Sequence, residues 1–412
     1  MQLLKSKPIP HLETAMCYIA SQYVSTRSTA TFSLELEALI ASTDIPNDGF
    51  LVQTLLLFVI GLDGNNEQLR ALEMLTRARK LAIQLGMHQH EFAILHGRGL
   101  PVLEESWRRT WWELYTVDGI IAGLHQISSF HLFDVVANVS LPCEEDLFRS
   151  GSIFISHTID QFDELLFSDE EPEWSSYTYR ILAIRNLGRI LQHKNAAFLD
   201  NALLGSLDNH LVNWMLHLPN SKKDYFDSTG HVDELLFQAH MITNVSSILL
   251  HRQYSHFHDF ASQHTTSCAP YPQGAPGWQA RRMHGAKTIQ SALDVTKLIT
   301  LPTPLVKHTP FLTCAIALAS IVHLACWSAS TLISDDDDLK GQVRLGIGGL
   351  KAMAEIWPSA QRVLEQVTRV AQESFLRRKS TLNSLLWNDL EDGEIAGNFV
   401  SEGTINNAFQ PL

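Results

Sequence analysis

Between Asn66 and Gly86 apolar side chains return every three or four positions, at Leu69, Leu72, Leu75, Ala78, Ala82 and Leu85. That period places them on one face of an α-helix and leaves Arg70, Arg77 and Lys80 mostly off it. Gly86 follows the last periodic residue, where a left-handed cap favours glycine. Upstream, residues 50–62 are almost wholly apolar and read as a buried helix ended by Gly61 and Asp63-Gly64. Two such helices joined by a short polar turn form a hairpin. Helical spacing recurs at 177–203, 207–217, 232–251, 278–299, 311–329 and 348–375, and the strict alternation of strands is scarce. The expected fold class is therefore all-α: a large helical array in one domain over residues 1–375. After Phe375 the periodicity fades, and residues 376–412 are expected to form a mobile tail.

The most informative helix begins at Glu104. It pairs Glu104 with Arg108 and Glu105 with Arg109 at i, i+4, in the favourable order. Trp107, Trp111, Leu114 and Ile121 share a stripe, with Trp112 and Tyr115 beside it. Burial of these rings should outweigh exposed ion pairs, each of which contributes only a few tenths of a kcal/mol. The two arginines are expected to be structural, as surface pairs or as caps on neighbouring loops.

Composition removes whole classes of function. The chain has 412 residues, with 31 basic against 44 acidic side chains and a formal net charge of −13. A protein that grips duplex DNA unaided presents a clustered basic face, so DNA contact is expected to be indirect. Five cysteines, at positions 17, 143, 268, 314 and 326, form no CxxC pair, which argues against a structural zinc site or a disulfide framework. The run 311–329 has no charged residue and approaches spanning length. Its His323, Thr313 and Ser320, and Pro310 at its start, favour a buried core helix, so no membrane is expected.

Catalytic signatures are missing. His90-Glu91 is not followed by the second histidine of HExxH, and no nucleophile elbow or phosphate loop occurs. Gly346-Ile347-Gly348-Gly349 has no strand before it. Asp335 to Asp338 lacks the closing acid of a DDxxD magnesium motif, with Leu339 next, and reads as a solvated turn. His256, His258, His264 and Cys268 share a long loop without the spacing of a zinc module. His88 and His90, just after Gly86, are assigned a structural role in which the helix C-terminus attracts a partly positive ring. No catalytic, cofactor-binding or metal-binding residue is assigned.

In the tail, Leu385, Leu386, Trp387 and Leu390 interleave with Asn388, Asp389, Glu391 and Asp392. Acid among bulky apolar groups suits a short segment that docks in a partner's groove, and equally suits a last helix lying back on the core.

Residues 71–74 and 82–88, followed by Glu105-Ser106-Trp107-Arg108-Arg109-Thr110-Trp111-Trp112-Glu113-Leu114-Tyr115-Thr116-Val117-Asp118, resemble the fungal-specific transcription factor domain, the middle homology region of Zn2Cys6 zinc-cluster regulators. Gly86, Arg108, Arg109, Trp111, Trp112, Leu114, Tyr115, Asp118 and, further on, Pro142 carry the likeness. Ile248 to Arg252, His308-Thr309-Pro310-Phe311, Ala317 to His323, and residues 350–371 around Ile356-Trp357-Pro358 are similar to regulators of secondary-metabolite gene clusters. The resemblance covers most of residues 12–375. It departs in one respect: the six closely spaced cysteines of a zinc cluster do not occur in this sequence. The start at His11 to Met16 reads as N-terminal truncation within the family domain.

The resemblance implies a nuclear transcriptional regulator without catalysis or cofactor, its residues 1–375 forming the regulatory domain. It is expected to control a secondary-metabolite gene cluster through protein partners, either a full-length zinc-cluster factor or a second copy of itself. Two rivals stand beside it: a helical small-molecule enzyme of a biosynthetic cluster, and a truncated relic of a zinc-cluster factor.

Overall fold

In a computed structural model, residues 8–24, 28–125, 129–153, 157–165, 174–194, 196, 199–227, 230–255, 278–329 and 336–391 are described, with 278–280, 336 and 380–391 described in backbone only. The described residues form fifteen α-helices and no strand; one isolated antiparallel bridge joins Phe226 and Val232. The helices are α1 (Pro10–Ser21), α2 (Thr29–Ala41), α3 (Gly49–Gly64), α4 (Gln68–Leu85), α5 (His90–His96), α6 (Pro101–His125), α7 (Glu145–Ser150) and α8 (Ile159–Leu165). There follow α9 (Ser176–Leu191), α10 (Asn201–Leu216), α11 (Glu234–His251), α12 (Trp278–Ile299), α13 (Leu312–Ala329), α14 (Asp336–Ala354) and α15 (Pro358–Glu391).

Local chemistry sets several starts. The Asp48 side chain accepts from the amides of Phe50 and Leu51, capping α3, and Asp233 does the same for Leu235 and Leu236 at α11. Ser175 caps α9 through the Thr178 amide, and Asp200 caps α10 through that of Leu203. Gly86 ends α4 with φ at +77°, a conformation in which a side chain is strained.

Helices adjacent in this order pack on one another, α3 on α4, α11 on α12, and α13 on α14. One continuous apolar core runs from Ala15 in α1 to Val370 in α15. A smaller cluster under α10 joins Ile190, Leu204, Leu207, Leu211, Leu250 and Tyr254. The centre of the array is α6, which packs on α3 and α4 on one side and on α9 on another. At 25 residues it is about 37 Å long. The C-terminal helices close back on the N-terminal ones where α15 meets α3.

The apolar run becomes α13, and 83% of it is buried inside the protein; it is the one described helix long and apolar enough to cross a membrane. Several expectations need correction. Residues 177–203 are two helices, because the chain breaks after Leu191 and restarts at the Asp200 cap. Residues 348–375 are also two, separated before Pro358, whose ring disfavours helical backbone at Trp357. Leu69 stands out in solvent rather than on the buried face of α4, while Arg79 occupies that face. Asp336 to Asp338 form the first turn of α14, where the partial positive charge of a helix N-terminus favours acid; Asp335 lies outside the described residues. Gly346 to Gly349 sit inside α14. Past Phe375 the backbone of α15 is described to Glu391, and residues 392–412 of the expected tail lie outside the described residues.

Candidate functional site

Glu105 is the hub of the aromatic helix. Its carboxylate, almost wholly buried, accepts from Arg108 Nε at 2.8 Å, Arg109 Nε at 3.1 Å and the Cys143 amide at 2.9 Å. Arg109 reaches further, donating to the Cys143 carbonyl at 3.0 Å and to Glu145 at 2.5 Å, with its guanidinium over the Phe148 ring at 4.0 Å. Trp112 Nε1 donates to the Ser140 carbonyl at 3.0 Å, and Ser175 Oγ to the Pro142 carbonyl at 2.6 Å. Residues 140–143 are thus clamped to α6 and α9 along their backbone. These are not two parallel surface ion pairs: Glu104 stays 4.0 Å from Arg108, and Glu105 serves both arginines from the interior.

Further along α6, Asp118 accepts from Arg79 of α4 at 2.6 Å and from the Leu132 amide at 2.9 Å. Burial raises the Asp118 pKa despite the opposing pull of Arg79. Trp111 and Leu114 are fully buried, the Trp111 ring lying 5.6 Å from His88. Tyr115 sits between Trp112 and Phe130. The helix is therefore buried almost all round from Trp111 onward, not along one stripe. His88 holds the chain through its carbonyl, which accepts from the amides of Asn138 and Val139. Burial lowers its pKa, which disfavours the positive ring expected beyond Gly86.

A second convergence joins the two ends of the chain. Glu113 of α6 pairs with the buried Arg180 of α9, which also donates to Gln238 of α11 at 2.7 Å, and Tyr177 donates to Glu113 at 2.6 Å. Glu234, at the start of α11, accepts from His308 Nδ1 at 2.6 Å, and His308 lies flat on Phe237 at 3.9 Å. Trp357 fits against Gly64 so closely that a Cβ there would collide with its ring. Between these groups lies a cavity of about 250 Å³.

The signature residues Gly86, Arg108, Arg109, Trp111, Trp112, Leu114, Tyr115, Asp118 and Pro142 are thus placed in one connected body around α4, α6 and the 140–143 segment. Arg79 and Arg180 were missed as buried charges, and Glu113 and Glu234 as half-buried ones paired with Arg180 and His308. Their partners lie 39 to 74 residues away in sequence, beyond any local spacing rule. Leu385, Leu386, Trp387 and Leu390 fall on the last turns of α15, and their side chains lie outside the described residues. His256, His258, His264 and Cys268 lie outside them as well. Among the described residues no three His, Cys, Asp or Glu side chains gather as a metal site.

The fungal specific transcription factor domain matches residues 3–228, which contain α1 to α10 and the whole Glu105 clamp. Over 408 residues the chain is 40% identical to "C6 finger domain transcription factor iacK" of Pestalotiopsis fici (strain W106-1 / CGMCC3.15140), covering 98% of this chain and 61% of that protein. No solved structure matches. The chain belongs to the fungal specific transcription factor domain family. It spans less than two thirds of the length of this relative. Both likenesses are to transcription factors by description, neither to an enzyme.

Proposed function

We propose that this chain is the regulatory body of a nuclear transcription factor that controls a secondary-metabolite gene cluster through protein partners. The observation that carries the reading is the clamp itself: the most distinctive residues of the family domain hold helices to one another. The similarity of residues 308–311, 317–323 and 350–371 to secondary-metabolite cluster regulators supports the cluster role. The net charge of −13 favours DNA contact through a partner, either a full-length zinc-cluster factor or a second copy of this chain. In this reading residues 1–375 are the regulatory domain. Residues 376–412 supply an acidic-hydrophobic segment through Leu385, Leu386, Trp387 and Leu390.

Chromatin immunoprecipitation of the tagged chain in the fungus that carries it tests the proposal. The expected result is enrichment at promoters of a few neighbouring genes, while the purified 412-residue chain does not retain the same DNA. Absence of promoter enrichment would contradict the regulatory role. Tight retention by the purified chain would contradict the indirect route.

A further inference from the structure

The outward side of α10 carries no charge, in a chain whose formal net is −13. Ala202, Gly205, Asn209, Val212 and Leu216 follow one another at alternating steps of three and four, which lines them up along one stripe of the helix. The opposite stripe, Leu204, Leu207, Leu211 and Trp214, is the one buried in the protein. Ser206 and Asn213 flank the outer stripe in solvent, and Val212, Met215 and Leu216 are 42%, 52% and 72% exposed. The one charged side chain of the helix, Asp208, is turned to α11 and α12, where His251 and Lys287 hold it. Single apolar residues on a surface are ordinary; three within five positions beside an uncharged stripe mark a contact surface.

The two halves of this face differ in size. Ala202, Gly205 and Ser206 make the first half shallow, and Val212, Met215 and Leu216 make the second bulky. A Cβ added at Gly205 meets nothing within 4 Å, so the fold of a single chain does not require glycine there, and glycine weakens a helix relative to alanine. Such a face is complementary to itself turned end for end. The shallow half of one copy receives the bulky half of the other, twice over, as in an isologous contact. Asn209 falls near the middle, and its amide, which both donates and accepts, pairs with the same group of a second copy. Charge points the same way: two chains of the same negative sign meet most readily on a face without charge.

We propose that the outer face of α10 is the contact surface for a second copy of this chain, with the two helices antiparallel about a two-fold axis near Asn209. The inference rests on the reading above, in which a second copy is one of the partners, and gives that copy its seat. The strip is about 24 Å long and about 10 Å wide, so each copy covers on the order of 300 Å², against about 800 Å² per partner in a standard interface. The dimer is therefore weak and concentration-dependent.

Sedimentation equilibrium of the full chain, without DNA, tests the contact. The weight-average mass should climb from 46.3 kDa toward twice that value as the chain goes from micromolar to submillimolar concentration. Leu216→Asp places a carboxylate in the seam from an exposed position, and should weaken association about tenfold or more with the thermal midpoint unchanged. Gly205→Leu fills the shallow half and improves the helix, so it should raise the midpoint while weakening association by a similar factor. Cysteine cross-linking fixes the orientation, in a Cys17→Ser background because Cys17 is exposed. Asn209→Cys lies near the axis and should bond to its own copy, whereas the two sites of Ala202→Cys stand about 20 Å apart and should not. A single-copy mass at every concentration, a dimer that Leu216→Asp leaves intact, or cross-links equally strong at both positions would overturn the proposal. Promoter enrichment is read separately, so its absence would strike the regulatory reading and leave this contact standing.

Discussion

Replacing Glu105 by alanine removes three hydrogen bonds at once and strands two guanidinium groups that the fold has taken out of water. Arg108 keeps only a distant Glu104 at 4.0 Å, Arg109 keeps Glu145, and the Cys143 amide loses its acceptor. Breaking a buried ion pair by deleting one partner costs about 3–5 kcal/mol, and about 4 kcal/mol is taken here because Arg109 retains a second carboxylate. The unfolding entropy near 60 °C is about 2.1 cal/mol/K per residue, so 412 residues give about 0.9 kcal/mol/K for one cooperative transition. The expected fall in Tm is therefore about 5 °C. Glu105→Gln keeps an acceptor of the same shape and should lose about half as much. Glu104→Ala, whose partner is at the limit of an ion pair and whose side chain is partly exposed, should shift stability by less than about 0.5 kcal/mol. Differential scanning calorimetry of the three variants is the assay. Equal Tm values for Glu105→Ala and Glu104→Ala would refute the buried-hub argument.

Acid should destabilise the fold well above the carboxylate range. Burial pushes the His240 and His323 pKa values down to about 4, against 6.5 ordinarily. The unfolded chain thus binds more protons between those limits, and stability falls as pH drops through that window. About 2 kcal/mol per ring is expected between pH 7 and pH 5, read from urea midpoints, and His323→Gln should flatten the slope. A midpoint unchanged over this range would count against neutral buried rings. Gly64→Ala drives a methyl into the Trp357 ring and should cost about 1–3 kcal/mol by overpacking, seen as a lower urea midpoint. A neutral effect would mean that α15 does not seat on α3 as described.

The sequence shows the helices themselves well, because apolar periodicity and caps are local signals. Gly86 carries the positive φ that its position after Leu85 suggests, and 278–299 is a helix over that whole span. The two merged segments were separable in principle, since Pro358 marks a start and Asp200 is a good cap. Leu69 was misplaced because periodicity gives the direction of a face but not how far the cover extends along it. The full burial of α6 depends on α9 packing across it, which no feature of residues 104–118 announces. Interior charges were the least legible. Arg79 meets Asp118 only after the chain has turned back, and the residues that line the cavity are drawn from Ile19 in α1 to Trp357, just before α15.

The central claim, that this chain regulates transcription, is met most directly by deleting its gene and profiling transcripts together with metabolites. The account predicts a coordinated rise or fall of a small set of neighbouring genes. Unchanged transcripts beside a lost or altered metabolite would contradict it and favour an enzyme, and no change in either would leave a relic.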